Sequence, residues 1–173
     1  MASYYYLVSS LPELSADGEM PISYEEFLKC CENNVDEENY RRLASLSVSS
    51  TEGPLLKEWN ASYGSLIREL NQQRSLALGK PYPSDFDKDG MNAQVVNAVL
   101  SAKNPLEAEQ ILLDHEFSLL DSLIGLHMFD AEVVFGYALK LKLLERKSCF
   151  EKEKGQAEFR HLFDEIQQRV YSL

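Results

Sequence analysis

The chain has 173 residues, of which 45% are hydrophobic and 26% charged, an ordinary globular composition that predicts one domain over residues 1–173. Its 28 acidic and 17 basic side chains give a net charge of −11, which repels phosphate backbones and argues against a nucleic-acid partner. Three cysteines without a spaced framework, no signal-like N-terminus and no apolar run of membrane length predict a cytoplasmic protein without direct membrane insertion.

The N-terminal region predicts one extended segment followed by two short helices. The run YYYLV at residues 4–8 is aromatic and β-branched and is broken by Pro12, which is typical of a short extended segment. Ser23 and Glu26 form a capping box that starts the first helix. Asp36, followed by two glutamates, starts the second.

A long helix is predicted to begin at Pro54, where the missing N–H costs no hydrogen bond, and to end before Gly79. Its apolar residues fall on one stripe at steps of three and four. These are Leu55, Leu56, Trp59, Tyr63, Leu66, Ile67 and Leu70.

The stretch SDFDKDGMN at residues 84–92 resembles the start of a calcium-binding loop. Such a loop needs a bidentate glutamate at its twelfth position, and with Asp85 first that position holds Val96. We therefore interpret residues 79–91 as an acidic linker, with Asp89 or Asn92 capping the helix that follows.

The rest of the chain predicts further helices and completes a mainly α, compact multi-helix bundle. One begins around Val95, and the next begins at Asn104 and keeps an apolar pattern to Leu126. Asp130 caps another that extends towards Lys154, and a final amphipathic helix follows Gly155.

Motifs for catalysis or metal binding are absent from the sequence. Glu158 and His161 have the spacing of one half of a di-iron motif, but the second half is missing. Cys30 has no sequence context of a nucleophile, and Cys31 is expected in the core. We therefore expect no enzyme activity and no cofactor.

The segment YALKLKLLERKSCFEKEKG at residues 137–155 predicts a basic ridge on an acidic protein, a plausible edge for docking a protein partner. The basic ridge consists of Lys140, Lys142, Arg146, Lys147 and Lys154. In the alternative interpretation, these cations only offset neighbouring glutamates and keep a long helix soluble.

Four segments together resemble a bacterial family of unassigned function that is encoded among the subunits of V-type ATPases. They are YYYLVSSLPEL at residues 4–14, NPLEAEQILLD at 104–114, FDAEVVFGYALKLKLLER at 129–146 and FEKEKGQAEF at 150–159. That family is in turn similar to a shortened form of the V-type ATPase C-type stalk protein, called d in eukaryotes, an all-helical socket between the central shaft and the membrane ring.

The resemblance implies a non-catalytic coupling or assembly subunit of a V-type rotary ATPase. Its partners would be other ATPase subunits, and it would be peripheral at the inner membrane through that complex. The alternative is a soluble helical adaptor or regulatory protein with an unrelated protein partner. In that case the basic ridge would matter and the ATPase would not.

Overall fold

A computed structural model describes residues 4–82 and 90–149, and within these ranges the chain forms seven α-helices and no strand. The mainly α prediction is thereby confirmed. The helices are α1 (Tyr4–Ser10), α2 (Tyr24–Cys31), α3 (Glu37–Ala44), α4 (Pro54–Ala77), α5 (Gly90–Leu100), α6 (Pro105–Ile124) and α7 (Ala131–Ser148).

The extended N-terminal segment was predicted wrongly, because residues 4–10 form helix α1. Leu7 is fully buried in the main core, and Tyr4, Val8 and Leu11 pack against that core beside it. These four positions follow the three- and four-residue spacing of a helix. Packing against the other helices therefore outweighs the strand preference of an aromatic run.

Side-chain caps start four of the helices at the predicted residues. The hydroxyl of Ser23 accepts from the amide of Glu26, whose carboxylate accepts from the Ser23 amide in return. Asp36, Asn104 and Asp130 likewise accept a backbone N–H in the first turns of α3, α6 and α7. Each cap satisfies a donor that a helix leaves unpaired at its N-terminus.

The buried apolar side chains form two clusters, and helices α4 and α6 contribute residues to both. The larger cluster takes in α1, α2, α3 and α7 with the first half of α4 and the second half of α6. The smaller cluster contains Leu66 and Leu70 of α4, Val96 and Val99 of α5, and Leu112 of α6. Val96, the residue at the critical position of the calcium-loop pattern, is therefore a core residue.

The beginning of α5 lies next to the predicted acidic linker. Asn92 is not a cap, because it lies inside α5, is buried and donates from its amide to the Ser65 hydroxyl at 3.3 Å. Asp85 and Asp89, the other residues of that prediction, lie outside the described residues. None of the helices within residues 4–82 and 90–149 combines the length and apolar character needed to cross a bilayer.

Candidate functional site

The described cations of the basic ridge all contact groups of their own chain. Lys140 places its ammonium 2.5 Å from the carboxylate of Asp121 and 5.2 Å from the ring centroid of Phe117. Its side chain is only 13% exposed, and both of these contacts lie on α6. Lys154 lies outside the described residues.

Lys142 and Lys147 are likewise engaged within the fold. Lys142 pairs with Glu145 at 2.9 Å and lies 3.5 Å from the ring centroid of Tyr24 on α2. Lys147 donates to the backbone carbonyl of Ala16 at 2.7 Å, in the segment between α1 and α2. The two lysines thus tie α7 to the N-terminal part of the bundle.

Arg146 is the centre of a buried charge cluster with two glutamates of α6. Its guanidinium donates to Glu109 at 2.6 Å and makes a two-pronged contact with Glu116, which has no exposed surface. Glu109 and Glu116 are seven residues apart and therefore share one face of α6. Neither glutamate stands out in the sequence, although an acid on an otherwise apolar helix face is a signal that such a pairing exists.

The cluster shifts the ionisation of its members. Burial raises the pKa of the Glu116 carboxyl, while its hydrogen bond and attraction to Arg146 act in the opposite direction. Burial on its own lowers the pKa of Arg146, but the hydrogen bonds and charges of Glu116 and Glu109 outweigh it, so the pKa is raised. Tyr63 of α4 also has a raised pKa, chiefly through burial and then through the Glu116 charge.

Among the described cations, Lys142 alone pairs with a neighbouring glutamate of its own helix, Glu145. Lys140 and Arg146 pair with acidic side chains of α6, and Lys147 bonds to a backbone carbonyl. The partner-binding role of the basic ridge stays a prediction, and a partner would have to compete with these internal contacts. Two features of the sequence favour such internal contacts. Acidic and aromatic residues recur at helical spacing on α6, and the apolar residues of α7 fix which face of that helix is buried.

Sequence reasoning missed an exposed apolar surface formed by α1 and the connection between α6 and α7, which we call the aromatic patch. It consists of Tyr5, Tyr6, Leu126, Met128 and Phe129, all of them exposed. The rings of Tyr5 and Phe129 are in contact, with centroids 4.8 Å apart, and Tyr5 contacts Tyr6 at 5.5 Å. The three rings therefore form one aromatic surface, and Leu126 and Met128 are exposed on the same connection as Phe129.

Leu126 is the most exposed member of the patch, at 99%. The apolar pattern predicted it as part of the α6 core face, but α6 ends at Ile124 and Gly125 adopts a φ of 54°. That left-handed conformation, which glycine tolerates best, turns the chain and places Leu126 in solvent. Isolated exposed leucines are common, whereas Leu126 shares a short connection with exposed Met128 and Phe129, which makes this stretch a candidate interaction surface.

The connection that carries the patch is held at both ends. The amide of Gly125 donates to the carbonyl of Asp121 at 3.0 Å, and the amide of His127 donates to the carbonyl of Ile124 at 3.0 Å. At the other end, Asp130 caps α7 and contacts the His127 ring at 2.5 Å. The hydrogen bond and charge of Asp130 raise the pKa of His127.

Carboxylates lie around Tyr4 and the His127 ring, and each has a partner within the chain. Asp36 accepts a hydrogen bond from the Tyr4 hydroxyl at 3.1 Å, and the charges of Asp36 and Asp130 both contribute to the raised pKa of Tyr4, after burial. Tyr4 packs against the main core, whereas Tyr5 and Tyr6 are exposed. Glu132, in the first turn of α7, adds a third carboxylate close to His127.

Two of the open clefts among the described residues have volumes of about 280 Å³, beside Arg42 and the serine-rich loop before α4, and about 330 Å³, between α1 and α7. Within residues 4–82 and 90–149 there is no group of three or more His, Cys, Asp or Glu side chains able to hold a metal ion. His161 lies outside these ranges.

The cysteines fit the core interpretation. Cys31 is fully buried, as expected, and burial followed by the proximity of Cys30 raises the pKa of its thiol to about 12. A thiol with that pKa stays protonated at neutral pH and is a poor nucleophile. Cys30 and Cys149 are exposed free thiols.

A protein-family model described as "Protein of unknown function (DUF2764)" matches residues 92–170, a little under half of the chain. The matched stretch includes α6, α7, the buried charge cluster and three residues of the aromatic patch. No curated protein matches the chain. No solved structure matches it either. Over residues 92–170 the chain is thus similar to a family without an assigned function.

Proposed function

We propose that the chain is a non-catalytic coupling or assembly subunit of a V-type rotary ATPase, and that it binds other subunits through the aromatic patch. The ATPase part of the proposal is supported by the four sequence segments that resemble the family encoded with V-type ATPase subunits. The binding part is carried by one observation: the aromatic patch, in which the exposed rings of Tyr5, Tyr6 and Phe129 are in contact and exposed Leu126 and Met128 lie on the same connection as Phe129.

The physical argument for binding is the hydration of the patch. Burying a leucine, methionine or phenylalanine side chain contributes roughly 1.5–3 kcal/mol relative to leaving it exposed. The patch contains three aromatic rings and a methionine, which are residue types enriched at the centres of interfaces. A surface of this kind stabilises an association and offers no group that would transform a substrate.

Co-purification from membranes of the native host tests the proposal. The wild-type chain carries an affinity tag, and the Leu126→Ser/Met128→Ser variant removes two exposed members of the patch. The matched control is Leu76→Ser/Leu78→Ser, which removes two exposed leucines at the end of α4. We expect ATPase subunits to co-purify with the wild type and the control, and to fall about tenfold with the patch variant, since 1.4 kcal/mol corresponds to tenfold in affinity.

Three outcomes would contradict the proposal. Recovery of the wild-type chain free of every ATPase subunit would remove the ATPase assignment, and stoichiometric recovery of an unrelated protein would favour the adaptor alternative. Stoichiometric metal in the purified protein, combined with turnover of a substrate, would instead favour an enzyme.

A further inference from the structure

We infer that the buried charge cluster of Glu109, Glu116 and Arg146 is a proton-binding site, through which a fall in pH into the weakly acidic range stabilises the packing of α6 against α7. The site is independent of the proposed function, because it lies inside the bundle and requires neither the aromatic patch nor an ATPase partner. It gives the fold a response to pH that no other part of the molecule described above would provide.

The charges of the cluster do not balance, because two carboxylates share one guanidinium. Arg146 donates from its Nε to Glu109 at 2.6 Å. It donates from both terminal nitrogens to Glu116, from one of them at 3.0 Å. The guanidinium neutralises one ionised carboxylate, so with both glutamates ionised the cluster keeps one negative charge in excess.

The excess charge lies where water can stabilise it only in part. Glu116 has no exposed surface, Glu109 is 7% exposed, and the Arg146 side chain is 28% exposed. An unpaired charge in such a place is unfavourable, and two carboxyls that share a site avoid it by keeping one proton. Strongly interacting carboxyls titrate as a unit, so the proton belongs to the cluster and not to one residue.

The groups that face Glu116 favour this proton. Burial and the charge of Glu109 raise the pKa of Glu116, and Arg146 opposes the rise without cancelling it. Tyr63 of α4 faces the same cluster, and burial and the Glu116 charge raise the pKa of its hydroxyl, which therefore stays neutral near pH 7 and supplies no positive charge.

The other described cations of α7 are bound elsewhere. Lys140 pairs with an aspartate in the second half of α6, and Lys142 pairs with a glutamate of its own helix. Lys147 donates to a backbone carbonyl in the segment between α1 and α2. Their contacts leave the second carboxylate of the cluster without a cation from these three lysines.

The sign of the pH effect follows from proton binding. Glutamates of the unfolded chain lose their protons at about pH 4.3, whereas the folded cluster keeps one to higher pH. This contribution to stability is complete below the unfolded pKa. It is lost by up to about tenfold in the unfolding equilibrium constant per pH unit as the pH rises towards the folded pKa.

Glu109→Gln tests the inference on the full-length protein, because glutamine keeps an oxygen that accepts from the Arg146 Nε and resembles the protonated acid. The matched control is Asp114→Asn, which removes an exposed carboxylate of the same helix and keeps the oxygen that accepts from Gln110. Urea unfolding followed by circular dichroism measures the unfolding equilibrium constants of the three proteins from about pH 4.5 to about pH 8.

We expect the wild type and Glu109→Gln to be equally stable at about pH 4.5. At pH 7 the unfolding equilibrium constant of Glu109→Gln should be about tenfold lower than that of the wild type. Asp114→Asn should change this constant by less than about threefold, and equally at both pH values. Equal or lower stability of Glu109→Gln at pH 7, or an equal gain in the control, would overturn the inference.

A measurement on the wild type decides the question if Glu109→Gln does not fold. Carbon-13 NMR follows the side-chain carboxyls of Glu109 and Glu116 through a pH titration. We expect one proton to leave the pair with a midpoint at least about one pH unit above the ordinary value of about 4.3. Loss of both protons at or below that value would show that the cluster is fully ionised at neutral pH and would exclude the proton site.

Discussion

Replacement of Arg146 by methionine removes the counter-charge of two carboxylates that lie inside the bundle. Glu116 has no exposed surface and Glu109 is 7% exposed, whereas the Arg146 side chain is 28% exposed, so water can replace the lost guanidinium only in part. Breaking a buried ion pair on one side typically costs about 3–5 kcal/mol. Methionine has a comparable length and keeps the apolar contacts of the arginine stem, so the change acts mainly on charge.

An independent estimate of the cost comes from the carboxyl itself. A buried carboxylate without a partner escapes its penalty by taking up a proton. At pH 7 this costs about 3.7 kcal/mol for an ordinary pKa of about 4.3, at about 1.36 kcal/mol per pH unit. We therefore expect Arg146→Met to lower the free energy of unfolding by about 3–4 kcal/mol at pH 7. At pH 5 the proton costs only about 1 kcal/mol, and the loss should shrink accordingly.

The sign of the pH dependence follows from the direction of the Glu116 pKa. Burial raises this pKa above its usual value, and loss of Arg146 removes the interaction that opposes the rise. A carboxyl whose pKa is higher in the folded than in the unfolded state stabilises the fold at pH values below its unfolded pKa. This contribution is lost as the pH rises. The deficit of the variant relative to the wild type should therefore widen from about pH 4.5 to pH 7.

Urea unfolding followed by far-UV circular dichroism at pH 5 and pH 7 measures both quantities. The matched control is Arg41→Met, because Arg41 and its partner Glu37 have side chains that are 73% and 83% exposed. An exposed pair of this kind contributes about 0.3–0.5 kcal/mol. Equal effects of the two substitutions, or a loss at Arg146 that does not change with pH, would refute the buried-cluster reasoning.

Three further predictions concern the α6–α7 connection. Gly136→Val places a Cβ 2.5 Å from the end of the Ile124 side chain and should lower the free energy of unfolding in urea by about 1–3 kcal/mol. The added substitution Ile124→Ala should recover part of this loss. If the two free-energy changes were strictly additive, the clash would be contradicted. The pKa of His127, measured by NMR titration, should lie above about 6.5 and return towards it in Asp130→Asn, which keeps a capping side chain. Because this folded pKa is raised, the ion pair stabilises the wild type at low pH, and the contribution disappears as the pH rises through the folded value. If the free energy of unfolding of the wild type relative to Asp130→Asn fell towards low pH, that would be inconsistent with the ion pair. Leu126→Ser should change the free energy of unfolding by less than about 0.5 kcal/mol, and a loss of several kcal/mol would mean that Leu126 serves folding instead of binding.

The helix starts could be predicted because their signals are local. Ser23, Asp36, Asn104 and Asp130 each act on a backbone amide two or three residues away, and the sequence contains both members of every such contact. Helix α1 could not be identified in this way, since its conformation depends on the burial of Leu7 against distant helices.

The candidate site was less predictable for the same physical reason. Arg146 lies 30 and 37 residues from Glu116 and Glu109, and a charge pattern along α7 contains no information about which side chains of α6 face it. From the sequence alone, the cations of α7 were therefore interpreted as an exposed basic ridge. Leu126 was included in the apolar face of α6 because the apolar pattern does not reveal that the helix ends two residues earlier, at Ile124, before Gly125.

The hydrogen bonds at both ends of the α6–α7 connection have a consequence for the kinetics of recognition. The chain from Gly125 to Asp130 adopts its conformation within the folded protein, before any partner arrives. An incoming molecule therefore meets a rigid template and loses little conformational entropy on this side of the complex. Encounters should convert into complexes without a slow rearrangement of the loop, leaving the rate of dissociation to set how long a partner stays.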